Sequence, residues 1–238
     1  MENNLISEKQ SGFKPGDSTI YQLISITNEI YESFEDYCET RALFLDLSKA
    51  FDKVWHTGLK KKIVVNGIDG NAYKILDSFL QDRRQRVVLN GCASTWQNIS
   101  AGVPQGSVLG PLLFLIYIND LTENISSNMR LFADDAALFI KVANPEHAYL
   151  TIKQDLNTIT KWAETWKMQF NPDPTKPATE VFFHTKEINQ CIPSLSSIMY
   201  QLKLTATLCI LELFWIVNLI LATTSLKRLN WQIKALAY

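Results

Sequence analysis

An α+β fold is predicted by three features of this sequence. Apolar residues recur at helical spacing in two long segments, a near-continuous apolar run stops at an aspartate, and two short apolar runs join through an Asp-Asp turn. The first helix is capped by Asp17 or Ser18, and its apolar stripe is Ile20, Leu23, Ile24, Ile30, Tyr31 and Phe34. Ala42 to Leu47 follows as a buried strand interrupted only by Asp46, so one carboxylate stands at the strand's end. Ser48 to Val65 reads as helical, Asn66 to Gly70 breaks it, and Ala72 to Leu80 is a further short helix. Arg86 to Asn90 and Trp96 to Ser100 flank Gly91 as a hairpin. Pro104 to Ser107 is a turn, Leu112 to Leu121 an apolar helix, and Met129 to Ile140 two strands joined through Ala133, Asp134 and Asp135. Asn144-Pro145-Glu146 supplies the cap, proline and acidic first turn of a long helix. Its stripe is Tyr149, Ile152, Leu156, Ile159, Ala163 and Trp166. The proline-rich NPDPTKP ends that helix, and beyond about Asn189 no caps or alternation organise the chain until Trp231.

With 238 residues, 47% of them hydrophobic and 20% charged, the chain can bury a sizeable core. Its net charge of -1 gives no global attraction to a polyanion, so contact with nucleic acid has to come from local basic clusters. Two are present, Lys60-Lys61-Lys62 and Arg83, Arg84 and Arg86, although such runs are ordinarily solvated surface. Cys38, Cys92, Cys191 and Cys209 are far apart and lack zinc-ligand spacing, which reads as free thiols in a reducing compartment. The polar start, MENNLISEKQ, has no apolar signal core, so an intracellular protein of the nucleus or cytoplasm is expected. Leu204 to Thr224 is almost wholly apolar and about the ~20 residues that span a bilayer. Glu212 and Asn218 inside it argue against a span, since a central carboxylate costs roughly 2.5 to 3.5 kcal/mol.

Asp46, Asp134 and Asp135 all interrupt core-like stretches. A carboxylate buried without a partner is costly, and a cation is the simplest compensation. Oxygen-only ligands favour Mg²⁺ or Mn²⁺, and a pair of such ions ~3.5 to 4 Å apart is the apparatus of phosphoryl transfer. In isolation, an Asp-Asp turn is equally what closes an ordinary hairpin.

Four separated strings carry a resemblance that decides between these readings. LFLDLSKAFDKVWH (Leu43 to His56), VPQGSVLGPLLFLIYINDL (Val103 to Leu121) and LFADDAALF (Leu131 to Phe139) resemble, in order, the three palm motifs of reverse transcriptases from non-LTR (LINE/jockey-like) retrotransposons. QSGFKPGDST (Gln10 to Thr19) resembles the finger segment ahead of them, and the match runs from about Gln10 to Phe183. The resemblance implies a right-hand polymerase with partial fingers and a palm, an antiparallel sheet backed by helices, over residues 1–188. Residues 189–238 are then a degenerate, thumb-like or hydrophobic tail.

The implied activity is RNA-directed DNA polymerisation, with Mg²⁺ or Mn²⁺ as cofactor and RNA template, DNA primer and dNTPs as partners. Asp46, Asp134 and Asp135 are the implied catalytic carboxylates, and Leu47 would lend a backbone carbonyl to an ion. Phe51, five residues after Asp46, stands where the family keeps an aromatic against the sugar of the incoming nucleotide; without the motif it reads as core. Gln105, Gly106 and Ser107 would approach the template and nascent base pair, and Arg83, Arg84 and Arg86 the phosphates. Lys176 roughly matches a family lysine near the triphosphate, though its local spacing departs from the pattern. Asp52 and His56 are expected to be structural, and Trp162 and Trp166 to be core.

Departures from the family set the alternatives. Family members carry more fingers sequence before the position of Gln10 and an upstream endonuclease, which neighbouring reading frames are expected to supply. The end of the chain keeps only a faint thumb echo, Ser225 to Tyr238. An inactive retroelement remnant with residual nucleic-acid binding is therefore the second reading, and a membrane-anchored protein, though membrane contact is not expected, the third.

Overall fold

Glu39–Asp46 (β1) is buried along nearly its whole length, as a strand packed on both faces must be. In the computed structural model, which describes residues 5–171 and the strand at 179–183, β1 is an interior strand of a four-stranded antiparallel sheet. Asn128–Phe132 (β6) and Asp135–Val142 (β7) form a hairpin, β7 pairs with β1, and Thr179–Phe183 (β8) pairs with the other edge of β1.

Alternation along the strands sends two sets of side chains to two cores. Ala42, Phe44, Ala137 and Phe139 pack under Ile26 and Ile30 of Thr19–Glu35 (α1). Leu43, Leu45, Ala136 and Leu138 belong to the larger core, filled from His56–Val65 (α2), Leu109–Ile118 (α4) and Pro145–Thr165 (α5). Gly70–Leu80 (α3) flanks α2. The sheet is thus covered by helices on both faces. The buried Asp155 carboxylate of α5 accepts from Ser126 N at 2.9 Å and Ser127 N at 2.8 Å, fixing the turn into β6.

Ser18 caps α1 by accepting from Tyr21 N, and Asn144 caps α5 by accepting from His147 N. Some expectations need correction. The helix expected from Ser48 begins only at His56; Ser48 to Lys53 are turns, with Lys49 at φ 50°, because the chain must double back to bury Ala50 and Val54. Ile20 and Ile24 are 65% and 55% exposed, since the buried stripe of α1 is Leu23, Ile26, Ile30 and Ser33. The hairpin expected around Gly91 is present, but its pairing is split into two short nested stretches: Arg84–Gln85 (β2) with Gln97–Asn98 (β5), and Val88–Leu89 (β3) with Cys92–Ala93 (β4). The apolar helix starts earlier than expected, at Leu109, and ends in a 3-10 turn at Asn119–Thr122.

Among the described residues, Cys38 and Cys92 are free thiols and no helix is long and apolar enough to cross a membrane. The apolar run Leu204 to Thr224, Lys176 and the tail from 189 lie outside the described residues.

Candidate active site

The antiparallel register of β1 and β7 places Asp46 opposite Asp135. Phe132 also pairs with Asp135, so Ala133 and Asp134 are a two-residue hairpin loop at that same sheet end. Ala133 has φ 55°, a left-handed conformation that costs a non-glycine residue roughly 1 to 2 kcal/mol. Asp46 and Asp135, 89 residues apart in sequence, are therefore brought opposite each other by one strand pair, with Asp134 on the turn beside them.

Desolvation pushes the half-buried Asp134 carboxyl above its ordinary range; hydrogen bonding to its own backbone opposes this, and the charge of Asp46 adds to it. Asn171 holds Asp46 from the far side, its backbone N donating to the Asp46 carbonyl at 2.9 Å and Nδ2 to the carboxylate at 3.2 Å. Leu47, just past the paired residues, is buried and bridges Phe170. Among the described residues, no three acidic, imidazole or thiol groups already close on one point as a metal cage. The donor set here is oxygen alone, with a carboxylate disfavoured by desolvation and a like charge, and both strains would be relieved by a hard divalent cation.

A second feature lies on the turns after β1. A cavity of about 510 Å³ has walls that include Phe13, Phe51, Gln105, Gly106, Ser107 and Val108. Phe51 stacks on Phe114 with ring centres 4.4 Å apart and meets Phe13 edge-on at 6.2 Å. Gln105 Nε2 donates to Asp52 Oδ1 at 3.0 Å, which gives Asp52 its structural role. Gly106 has φ 79°, and a Cβ there would point into open space, so the residue keeps the cavity mouth clear while allowing the turn. The Ser107 hydroxyl donates to Pro104 O at 2.7 Å and accepts from Gly110 N at 3.0 Å, closing the loop that leads into α4.

The arginines sit apart from both. Arg84 and Arg86 are exposed on the β2–β5 ribbon with Trp96 beneath them, at 6.0 and 4.6 Å from the indole ring, while Arg83 leans on Phe79. The lysine run divides differently. Lys60 pairs with Asp77 and Lys61 is exposed, but Lys62 is buried, its ammonium 2.5 Å from both Tyr117 O and Asp120 Oδ1 and 3.7 Å from the Trp166 ring centre. Burial pulls its pKa down to about 8 against the opposing pull of Asp120. Lys62 is a structural staple rather than a phosphate ligand, and Trp162 and Trp166 help to box it. His56 Nε2 lies 2.7 Å from Gly102 O, a structural contact at the start of α2.

A match to the family model described as "Reverse transcriptase (RNA-dependent DNA polymerase)" covers residues 1–200. The chain belongs to the reverse transcriptase family. Among similar proteins of Drosophila melanogaster, this reverse transcriptase chain is 34% identical over 182 residues to "Probable RNA-directed DNA polymerase from transposon BS", 73% of this chain and 20% of that one. It is 36% identical over 171 residues to the corresponding protein of transposon X-element, 69% of this chain and 18% of that one. It is 33% identical over 176 residues to "RNA-directed DNA polymerase from mobile element jockey", 71% and 19%. The reverse transcriptase chain thus spans a fifth or less of the length of these relatives. An apo telomerase of Candida tropicalis lacking its C-terminal domain shares the fold, with TM-score 0.53 at 13% identity over 76% of this chain and 38% of that one.

Sequence reasoning overlooked Gln10, Phe13, Trp96 and Asn171 as members of these sites. Gln10 and Phe13 lie in the string Gln10 to Thr19 but nothing local marks their roles, and Trp96, ten residues after Arg86, is an aromatic on the far side of the expected hairpin from the arginines.

Proposed function

We propose that this chain carries the catalytic centre of the RNA-directed DNA polymerase of a non-LTR retrotransposon, joining a deoxynucleotide to a primer 3′-hydroxyl over an RNA template. The observation that supports it most is the pairing of Asp46 with Asp135, with Asp134 on the adjoining turn. On this reading the four-stranded sheet is a polymerase palm, residues 1–188 hold it with partial fingers, and 189–238 form the tail.

Asp46, Asp134, Asp135 and the Leu47 carbonyl would hold Mg²⁺ or Mn²⁺, which when bound supplies charge neutralisation at the transferring phosphoryl group. The chain's own residues then act by positioning. Phe51, fixed by its stack on Phe114, bears on the sugar and leaves no room for a 2′-hydroxyl. Gln105 and Gly106 line the space for the nascent base pair, with Ser107 shaping the template-side loop. Lys176 serves the triphosphate. Arg83, Arg84 and Arg86 meet strand phosphates, and Trp96, 54% exposed beside two guanidiniums, offers a stacking face for an unpaired base.

Primer extension on an RNA template with Mg²⁺ or Mn²⁺ tests the reading. The expected result is extension by the chain and none by Asp134→Asn; equal extension contradicts the role of Asp134, and none by either favours the inactive remnant.

A further inference from the structure

The buried Gln10 side chain spends two of its three hydrogen bonds on the turn that carries Asp134 and the third on its own strap. Its Oε1 accepts from Ala133 N at 2.9 Å and from Gly12 N at 2.8 Å, and its Nε2 donates to Ala133 O at 3.1 Å. Both backbone polar groups of Ala133 therefore end on one amide. Ala133 is also the residue whose left-handed backbone reverses the hairpin, and such a conformation persists only where its surroundings over-determine it.

Gln10 is itself held from both directions. Leu131 N donates to Lys9 O at 2.8 Å and Ser11 N to Leu131 O at 3.0 Å, so residues 9–11 run beside β6 as a parallel bridge. Gly12 completes the strap, since a Cβ there would stand 2.2 Å from Ala133 N. The next residue, Phe13, is a wall of the Phe51 cavity.

We propose that Gln10 is a positioning residue of the active site: by clamping both backbone groups of Ala133 it sets Asp134 and Asp135 in the orientation that receives a divalent cation. The inference rests on the reading of those aspartates as metal-binding. An outer-shell partner that orients a ligand commonly controls metal affinity by about 10- to 100-fold. A glutamine that merely filled the core would change how much protein folds, and nothing else.

Mn²⁺ titration of the full chain, followed by the electron paramagnetic resonance signal of free Mn²⁺ and normalised to the folded fraction from thermal melts, separates the two. The wild type binds Mn²⁺ and Asp134→Asn loses it, while Gln10→Met binds about tenfold more weakly per folded molecule. In single-nucleotide extension Gln10→Met lowers kcat and leaves the KM for dNTP unchanged. Gln10→Glu keeps the two accepted bonds and loses the donated one; its added charge alone would tighten Mn²⁺, so weaker binding is expected and is diagnostic of position. Wild-type affinity in Gln10→Met, with binding lost in Asp134→Asn, overturns the role of Gln10 and leaves the aspartates standing. Absent wild-type binding, or unchanged binding in Asp134→Asn, overturns both. If Gln10→Met does not fold, Gln10→Glu decides, and failure of both to fold makes Gln10 a folding residue and overturns the proposal.

Discussion

The end of β1 and β7 and the ribbon at residues 84–98 are both charged and both short of a conventional hydrophobic stripe, yet they are built on opposite principles. At the strand end the carboxylates are tied through their surroundings: the Gln10 amide holds both backbone groups of Ala133, Asn171 holds Asp46, and the strand pair fixes Asp135. The ribbon has two residue pairs in each half and leaves Val87, Val88, Leu89 and Trp96 between 54% and 70% exposed. A two-stranded ribbon is marginal in water without something to pack against. One region is tied down from within, and the other is left with its apolar side chains open. On the proposed reading, chemistry that depends on positioning falls to the first and strand capture to the second.

Substitutions that break the first region should stop the reaction. Asp46→Asn is expected to lower primer extension by more than the about 100-fold that follows loss of an outer-shell partner, with the melting temperature nearly unchanged. Substitutions that break the second should weaken capture alone. Arg84→Ala with Arg86→Ala should flatten the salt dependence of nucleic-acid affinity by about two in log-log slope, and Trp96→Ala should cost about 1 to 3 kcal/mol on single strands, both read by fluorescence anisotropy. In the cavity, Phe51→Val should let ribonucleotides compete in extension assays; unchanged sugar discrimination refutes the role given to that ring.

The smallest effect concerns the frame beneath both regions. Lys62 is held at a pKa of about 8 against an ordinary 10.5, so the folded chain sheds this proton first and stability should rise with pH from about 8 to 10.5. Burial pushes Tyr117 up to about 12 from 10.0, so the folded chain keeps that proton longer and stability should fall from about 10 to 12. Denaturant melts across this range should show a maximum near the crossing, and Lys62→Met should remove its rising side.

Much of this was legible beforehand because the relevant signals were local. An apolar run ending in Asp46 and a second broken at Asp134-Asp135 are visible in the sequence, as are the caps at Ser18 and Asn144. What escaped was set by long-range geometry. Lys62 looks like its neighbours Lys60 and Lys61 until α4 and α5 close over it. Gln10 is 123 residues from the turn it clamps, and no local pattern announces a buried amide. The segment Ser48 to Lys53 reads as helical in sequence, and tertiary packing of Ala50 and Val54 overrides that preference.

On the proposed reading one divalent-ion site joins the end of β1 to the turn before β7. Replacing Mg²⁺ by Fe²⁺ and generating hydroxyl radicals locally should cut the backbone in two places at once, near residue 46 and near residues 133–135, and Asp134→Asn should abolish both cuts. Cleavage confined to one of these segments, or cuts elsewhere that ignore the substitution, would contradict it.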